Sequence, residues 1–469
     1  MKTIIGSDIK IQYPSKEITQ WARDNLTVSN PEFTTKLRMN LWLGNTPETL
    51  SLYERRGYTL VLPFGAINDI LPMLHGSQVE TDFVESEPID YNAEVPLYDY
   101  QKKAVDKAML NYYGIIQSPA GSGKTQMGIA LVSKLRKRTL WLTHTKDLLN
   151  QSKKRAEQYI DKSLIGTITD GKVNLGAGIT FATIQTMCKL DLYQYKHYFD
   201  VIIVDECHRV AGTPTTMTQF YKVLNNLSCR HKYGLSATVH RSDGMIKATY
   251  AVLGEIIHSV SDEEVGDKIM KVGVKTISTG IAMDLSCVNT DGTLNYAKMI
   301  SSLCGNQKRN KIIRDCILEN ADCSCLILSD RLVHLDILYN SLPEQLQEKA
   351  VVIKGSSDKK LREKAIEDMR KGKKTIMFAS YSLAKEGLDI PRLERLFMVS
   401  PQKDYAIVTQ SIGRIARTYE GKKDPICYDF VDNSIYFKKS FLKRSTTYRK
   451  NKCYFIKDWW YVYIRLWSF

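Results

Sequence analysis

A chain of 469 residues is too long for one ordinary core and, at about one domain per 150 residues, reads as roughly three domains. A hydrophobic fraction of 43% with 25% charged residues excludes a disordered chain, and the net charge of +15 points to a polyanionic partner, nucleic acid before a ribosome or lipid surface. The ten cysteines form no CxxC pair, which excludes zinc knuckles and a disulfide framework and leaves small buried thiols in a reducing compartment.

The N-terminus has no apolar run long enough for a signal peptide, so a cytoplasmic protein is expected (host cytoplasm if phage-encoded). Residues 1–90 read as a small α+β domain. Ile9 and Ile11 alternate as in a strand, and Ser15 caps a helix that carries Ile18, Trp21, Ala22 and Leu26 on one face. Tyr58 to Leu62 forms another strand, ended by Pro63. Trp21 and Trp42 are expected in the core rather than as stacking platforms. Glu80, Asp82, Glu85, Glu87 and Asp90, closing on Pro96, have the composition of a linker.

From there short apolar runs alternate with helical patterns. Gly114–Ile116, Thr139–Leu142, Ile179–Phe181, Val201–Val204 and Tyr233–Leu235 fall in residues 91–262, and Leu326–Leu328, Val351–Ile353, Thr375–Phe378 and Arg395–Val399 in residues 296–437. Strands apolar on both faces and spaced by helices predict two tandem α/β units with parallel sheets, joined by a linker over 263–295. Residues 438–469 are left as a basic, aromatic tail. Its apolar run Trp459–Ile464, cut short by Arg465, suits a docking segment rather than a membrane span.

Two motifs carry chemistry. Ser118-Pro119-Ala120-Gly121-Ser122-Gly123-Lys124-Thr125 follows a strand and opens a helix. Such glycines let backbone N–H groups close around nucleotide phosphates, while Lys124 reaches the β and γ oxygens and the Thr125 hydroxyl binds Mg²⁺. Ser118 stands where the strict pattern has glycine. Asp205 and Glu206 end the apolar strand Val201–Val204, at the carboxyl edge where α/β proteins bind ligands. There Asp205 would hold Mg²⁺ through water, and Glu206 would orient and deprotonate the attacking water.

In this order the motifs resemble those of superfamily 2 helicases, over roughly residues 95–435. Asp205-Glu206-Cys207-His208 is similar to their DEAH/DECH box. The resemblance implies two RecA-like domains hydrolysing ATP with Mg²⁺. It implies that Gln101, in Leu97-Tyr98-Asp99-Tyr100-Gln101, bonds the adenine edge. It assigns Thr143 and His144 (motif Ia), Thr183 (motif Ic) and Ser380 to nucleic-acid contact, and His208, Ser236 and Thr238 to coupling of ATP state to grip. Residues 379–391 look like motif V, with Gly387 and Asp389 on the nucleotide. Gln410-Ser411-Ile412-Gly413-Arg414-Ile415-Ala416-Arg417 looks like motif VI. There Gln410 is implied in catalysis, and the i, i+3 spacing of Arg414 and Arg417 puts both guanidiniums on nearly one helix face, as arginine fingers.

Arg241-Ser242-Asp243-Gly244 after Thr238 is similar to the branch that holds restriction-enzyme motors and phage recombination helicases of the UvsW kind. The latter implies a monomeric DNA motor on forks and Holliday junctions in recombination, repair or replication, moving 3′ to 5′. Lys36, Arg38, Arg55 and Arg56 would grip a duplex arm. Lys438, Lys439, Lys443, Arg444, Arg449, Lys450 and Lys452, with Phe441 and Tyr448 interleaved, are either a strand contact with stacking aromatics or a solvated basic end. An RNA helicase and a nucleotide-gated clamp without translocation are the alternatives.

Overall fold

A computed structural model describes residues 1–211, 214–237, 245–266, 269–282, 287–288, 294–355, 357–386 and 388–456. Thr238, the Arg241–Gly244 motif, Gly387 and the Trp459–Ile464 run lie outside the described residues. The chain divides into two compact units, Met1–Val265 and Gly266–Phe469.

The first unit opens with a five-stranded sheet of β1 (Lys2–Ile5), β2 (Asp8–Gln12), β3 (Glu54–Arg56), β4 (Thr59–Pro63) and β5 (Gln78–Thr81), in the order β3-β4-β2-β1-β5. Ile9 pairs Leu62 and Ile11 pairs Leu60, so the apolar alternation of both strands meets on one buried face. Ser15 caps the helix Lys16–Asn25 as expected, its hydroxyl accepting the Ile18 N–H at 3.1 Å. Trp21 packs partly buried on this core. Trp42 does not: it is 89% exposed, in the loop after a helix (Pro31–Arg38) that buries no side chain. The acidic stretch is no free linker either. The Ser86 N–H donates to Asp200 at 2.8 Å, Ile89 N–H to the Arg136 carbonyl at 2.8 Å, and Glu85 pairs with Arg230.

The second sheet comprises β6 (Tyr113–Gln117), β7 (Thr139–Thr143), β8 (Ile165–Thr169), β9 (Lys172–Asn174), β10 (Ile179–Thr183), β11 (Val201–Asp205), β12 (His231–Ser236) and β13 (Ile256–Ser259). Their order is β9-β8-β10-β7-β11-β12-β6-β13, parallel throughout except the edge hairpin β8–β9. Every residue of β7, β10 and β11 is buried, which is why these strands read as unbroken apolar runs.

The second unit holds β14 (Gly273–Ala282), β15 (Cys325–Ser329), β16 (Ala350–Ile353), β17 (Ile376–Ser380), β18 (Arg395–Met398), β19 (Ile426–Asn433) and β20 (Tyr454–Phe455), in the all-parallel order β16-β17-β15-β18-β19-β14-β20. Both halves are thus α/β with parallel sheets, as expected. The expected linker, however, contains β14, whose mixed composition hides a strand. The expected tail boundary falls inside the helix Ile435–Lys450, which is part of the unit. Arg444 lies on its buried face and forks onto Asp429 at 2.9 and 2.7 Å, and the Tyr448 hydroxyl donates to the same carboxylate at 2.7 Å. Phe441 and Tyr448 are core residues, unavailable to bases. Removing one partner of so buried a pair costs about 3–5 kcal/mol. Lys438, Lys439, Lys443, Arg449, Lys450 and Lys452 remain exposed on the opposite face. All ten cysteines are buried free thiols, and no helix among the described residues is long and apolar enough to cross a membrane.

One lysine ties the N-terminal sheet to the eight-stranded sheet. Lys232, on β12, is wholly buried. Its ammonium donates to the Ser7 carbonyl at 2.8 Å and the Leu224 carbonyl at 3.0 Å, and sits 4.5 Å from the Phe64 ring centre. Burial pushes its pKa down from 10.5 to about 8. Between those two values the unfolded chain binds the proton and the folded chain does not, so stability rises with pH, by at most about 1.4 kcal/mol per pH unit. Urea unfolding at pH 7.5 and 9.5 should therefore show wild type gaining stability relative to Lys232→Met at the higher pH. Equal differences at both pH values would contradict it.

Candidate active site

The phosphate loop joins β6 to the helix Lys124–Leu135. Gly121 and Gly123 adopt φ of +87° and +83°, the left-handed region in which a side chain is strained. A Cβ at Gly123 would also stand 2.4 Å from the Gln101 Nε2. Ser118 has no positive φ, so its position demands no glycine; instead its hydroxyl bonds Ser122 Oγ at 2.5 Å, and Ser122 Oγ donates to the Pro119 carbonyl at 2.7 Å. The Ser122 carbonyl in turn accepts from the Tyr100 hydroxyl at 2.9 Å and the Gln101 amide at 2.8 Å. The other end of the Gln101 amide accepts the Tyr98 N–H at 2.9 Å. Gln101, expected on the adenine edge, is thus buried and fastens the phosphate loop. Tyr100, which the sequence did not single out, shares that task; its neighbour in the motif was the available signal.

β12 lies between β6 and β11, so the phosphate loop, Ser236 and Asp205 leave adjacent strands at one carboxyl edge. Asp205 is buried and accepts from Ser152 Oγ and the Glu206 N–H, both at 3.0 Å. Burial first, and the Glu206 charge second, push its pKa up to about 6, while the Lys124 ammonium opposes the rise. Ser152 was missed because a lone serine on a helix carries no sequence signal. The Asp205 carboxylate and Thr125 hydroxyl are an all-oxygen donor set that fits Mg²⁺, with Lys124 at the same edge.

Glu206 takes a left-handed backbone, φ 51°, which costs about 1–3 kcal/mol for a non-glycine residue and is a feature of functional sites. Its carboxylate lies 3.3 Å from His208 Nδ1, which is itself 3.0 Å from Ser236 Oγ. Glu206, at the strand end of β11, and Ser236, at that of β12, therefore converge on one ring nitrogen, which can bond only one of them at a time.

Thr143 and Thr183 end β7 and β10 at this edge, but both are buried. Thr143 Oγ1 donates to the Thr145 carbonyl at 3.1 Å and Thr183 Oγ1 to Thr186 Oγ1 at 3.0 Å. Strand contact through these two hydroxyls, expected from motifs Ia and Ic, is not supported by this geometry, because the last residue of a fully buried strand stays in the core. His144 is half-buried, its carbonyl accepting from Gln185 at 2.8 Å.

In the second unit, Ser380 ends β17, with its hydroxyl 2.9 Å from Ser382 Oγ. The helix Tyr405–Ile415 carries Gln410 and Arg414. Gln410 is buried, and its amide oxygen makes no hydrogen bond. Arg414 donates to the Ala384 carbonyl at 2.9 Å and the Leu388 carbonyl at 3.0 Å. Arg417 does not share its helix face, because the helix ends at Ile415 and Arg417 pairs as a bridge with Ile269. Its guanidinium pairs with Asp389, which Arg370 also holds, at 3.0 Å. Arg370 was not foreseen; it stands at the end of a charged helix (Lys359–Arg370) with nothing in its spacing to mark it.

Two loop variants separate these contributions. Ser118→Gly removes one hydrogen bond, about 1 kcal/mol, and should weaken ATP binding about fivefold. Gly123→Ala meets both the positive φ and Gln101 and should weaken it at least about tenfold, the chain still folded by circular dichroism. Calorimetric titration with ATP and Mg²⁺ reads both, and wild-type affinity in Gly123→Ala would overturn the loop geometry.

Residues 94–241 match the family model of the type III restriction enzyme res subunit, and residues 308–419 that of the helicase conserved C-terminal domain. The putative ATP-dependent RNA helicase L396 of Acanthamoeba polyphaga mimivirus is 29% identical over 348 residues, 72% of this chain and 64% of that protein. The probable helicase D10 of Escherichia phage T5 is 28% identical over 68% of this chain and 67% of its own length. The ATP-dependent DNA helicase uvsW of Enterobacteria phage T4 is 23% identical over 73% and 70%. The match thus spans about two thirds of the length of these relatives. The likeness to phage recombination helicases suggested the T5 protein itself, but 28% identity makes that protein a distant relative. Among solved structures, S. cerevisiae Dbp5 bound to RNA and ADP BeF3 superposes with a TM-score of 0.57 at 15% identity, over 86% of this chain and 96% of that one, a likeness of fold alone. With two helicase domains matched in tandem around the site geometry above, the chain is an ATP-dependent helicase of superfamily 2.

Proposed function

We propose that this helicase is a DNA motor that unwinds or branch-migrates forks and Holliday junctions in the cytoplasm (the host's if phage-encoded), in recombination, repair or replication. The observation that carries the motor is the convergence of Glu206 and Ser236 on His208 Nδ1, which sets the proposed attacking-water carboxylate and the strand that leads into motif III in competition for one nitrogen. A change at the γ-phosphate felt by Glu206 would pass to the Ser236 end of β12. That suits a motor better than a static clamp, which needs no such relay.

In this reading Lys124 binds the β and γ phosphates, Thr125 and Asp205 hold Mg²⁺, and Glu206 takes the proton of the attacking water. Bound Mg²⁺ supplies charge neutralisation at the phosphates. Arg414 and Arg417, with Gln410, answer the γ-phosphate charge, and Arg417 must first leave Asp389. Gly387 and Asp389 belong to the nucleotide side. Strand contact at the first sheet's carboxyl edge falls to His144 rather than to Thr143 or Thr183, and in the second unit to Ser380.

Support for DNA comes from the T4 relative, whose name is that of a DNA helicase, and from the exposed cations of the N-terminal region. Arg38 and Arg55 are exposed there, whereas Lys36 pairs with Glu32 and Arg56 with Glu54. The mimiviral relative bears an RNA-helicase name, which keeps RNA as the second reading. Lys124→Ala and Glu206→Gln should each lower strand separation on forked DNA by about 100-fold or more, with fork binding still measurable. Unwinding at the wild-type rate by either variant would refute the assigned site.

A further inference from the structure

The last turn of the helix Pro31–Arg38 and the loop after it expose Leu37, Met39, Leu41 and Trp42, Trp42 at 89%. Contiguous apolar exposure of this kind marks a contact surface rather than ordinary surface scatter. The loop is also built to hold that surface out. Asn30 caps the helix by accepting the Glu32 N–H at 3.0 Å and donates to the Pro47 carbonyl at 2.8 Å, closing the base of the excursion. The Leu41 N–H bonds the Lys36 carbonyl at 2.9 Å, the Thr46 N–H bonds the Leu43 carbonyl at 3.0 Å, and Lys36 Nζ donates to Thr46 Oγ1 at 2.7 Å.

The indole itself rests on Gly44. That residue has φ +52°, and a Cβ built on it would stand 3.0 Å from Cζ3 of Trp42. A Cβ there would ask the ring to give by a few tenths of an ångström, so the glycine allows the indole to lie this close to the backbone. Residues 32–48 carry Glu32, Lys36, Arg38 and Glu48; Lys36 pairs with Glu32 at 2.7 Å, which leaves the exposed Arg38 as the cation four residues before Trp42. The surface therefore offers a flat π face and apolar flanks beside one exposed guanidinium.

We infer that Trp42 is a stacking platform for an exposed base at the branch point of a nucleic acid, with Met39 and Leu41 flanking the base and Arg38 on the adjoining phosphate. Nucleobases joined by phosphates engage the ring and Arg38 at once, whereas an apolar protein partner would leave Arg38 unused. The inference rests on the branched-substrate function proposed above and names the residue that would recognise the branch.

The test uses the full chain without ATP and a fork carrying 2-aminopurine beside the branch, against a linear single strand of the same length. Wild type should quench the fluorophore. Trp42→Ala should lose the quenching and about tenfold in fork affinity while binding the linear strand within about twofold of wild type, and Trp42→Phe should keep most of both. Equal fork binding and quenching by Trp42→Ala, or an equal loss on fork and linear strand, would overturn the inference. So would a self-association of wild type, seen by sedimentation, that Trp42→Ala abolishes. A wild-type chain with no affinity for forks would sink the proposed function as well. A chain that prefers forks with or without Trp42 would sink the stacking site alone.

Discussion

The Ser122 carbonyl is the point at which the nucleotide loop is fastened, since it accepts from both the Tyr100 hydroxyl and the Gln101 amide. With that oxygen held, Gly121 and Gly123 keep their left-handed turns, and the helix from Lys124 begins where its N-terminal N–H groups face the same edge as Asp205. A loop already closed does not have to be ordered when nucleotide arrives, which is where affinity for phosphates is gained. Register does the rest. β6, β12 and β11 are adjacent and parallel, so everything that follows each strand emerges on one side.

The same edge explains why the two carboxylates differ. Asp205 is the last residue of a buried strand, and burial raises its pKa to about 6, still ionised at neutral pH. Glu206 turns out of the strand through a strained left-handed conformation and meets His208. One strand end thus presents a buried carboxylate and, one residue on, a second carboxylate beside the histidine that approaches the neighbouring strand.

Much of this was legible in the sequence because the relevant signals are local. Unbroken apolar runs marked β7, β10, β11 and β15, glycines marked the phosphate loop, and Ser15 marked its helix. The misreadings share one cause, which is that spacing does not say what covers a residue. Arg444 and Tyr448 read as a basic, aromatic tail, but Asp429 on β19 gives both a buried partner. Trp42 read as core, but no sheet face reaches it. Arg417 read as one helix face with Arg414, although the helix stops two residues earlier. The hold of Gln101 on the Ser122 carbonyl was likewise invisible, because a motif names a residue type and not its partner. Long-range partners of this kind become visible only once the strands are in order.

The most direct test of an ATP-driven DNA motor is the rate of ATP hydrolysis by the intact chain with Mg²⁺ and matched forked DNA, linear DNA or RNA, at fixed salt. Forked DNA should raise turnover most, with linear DNA behind it. Turnover stimulated by RNA alone would contradict the assignment.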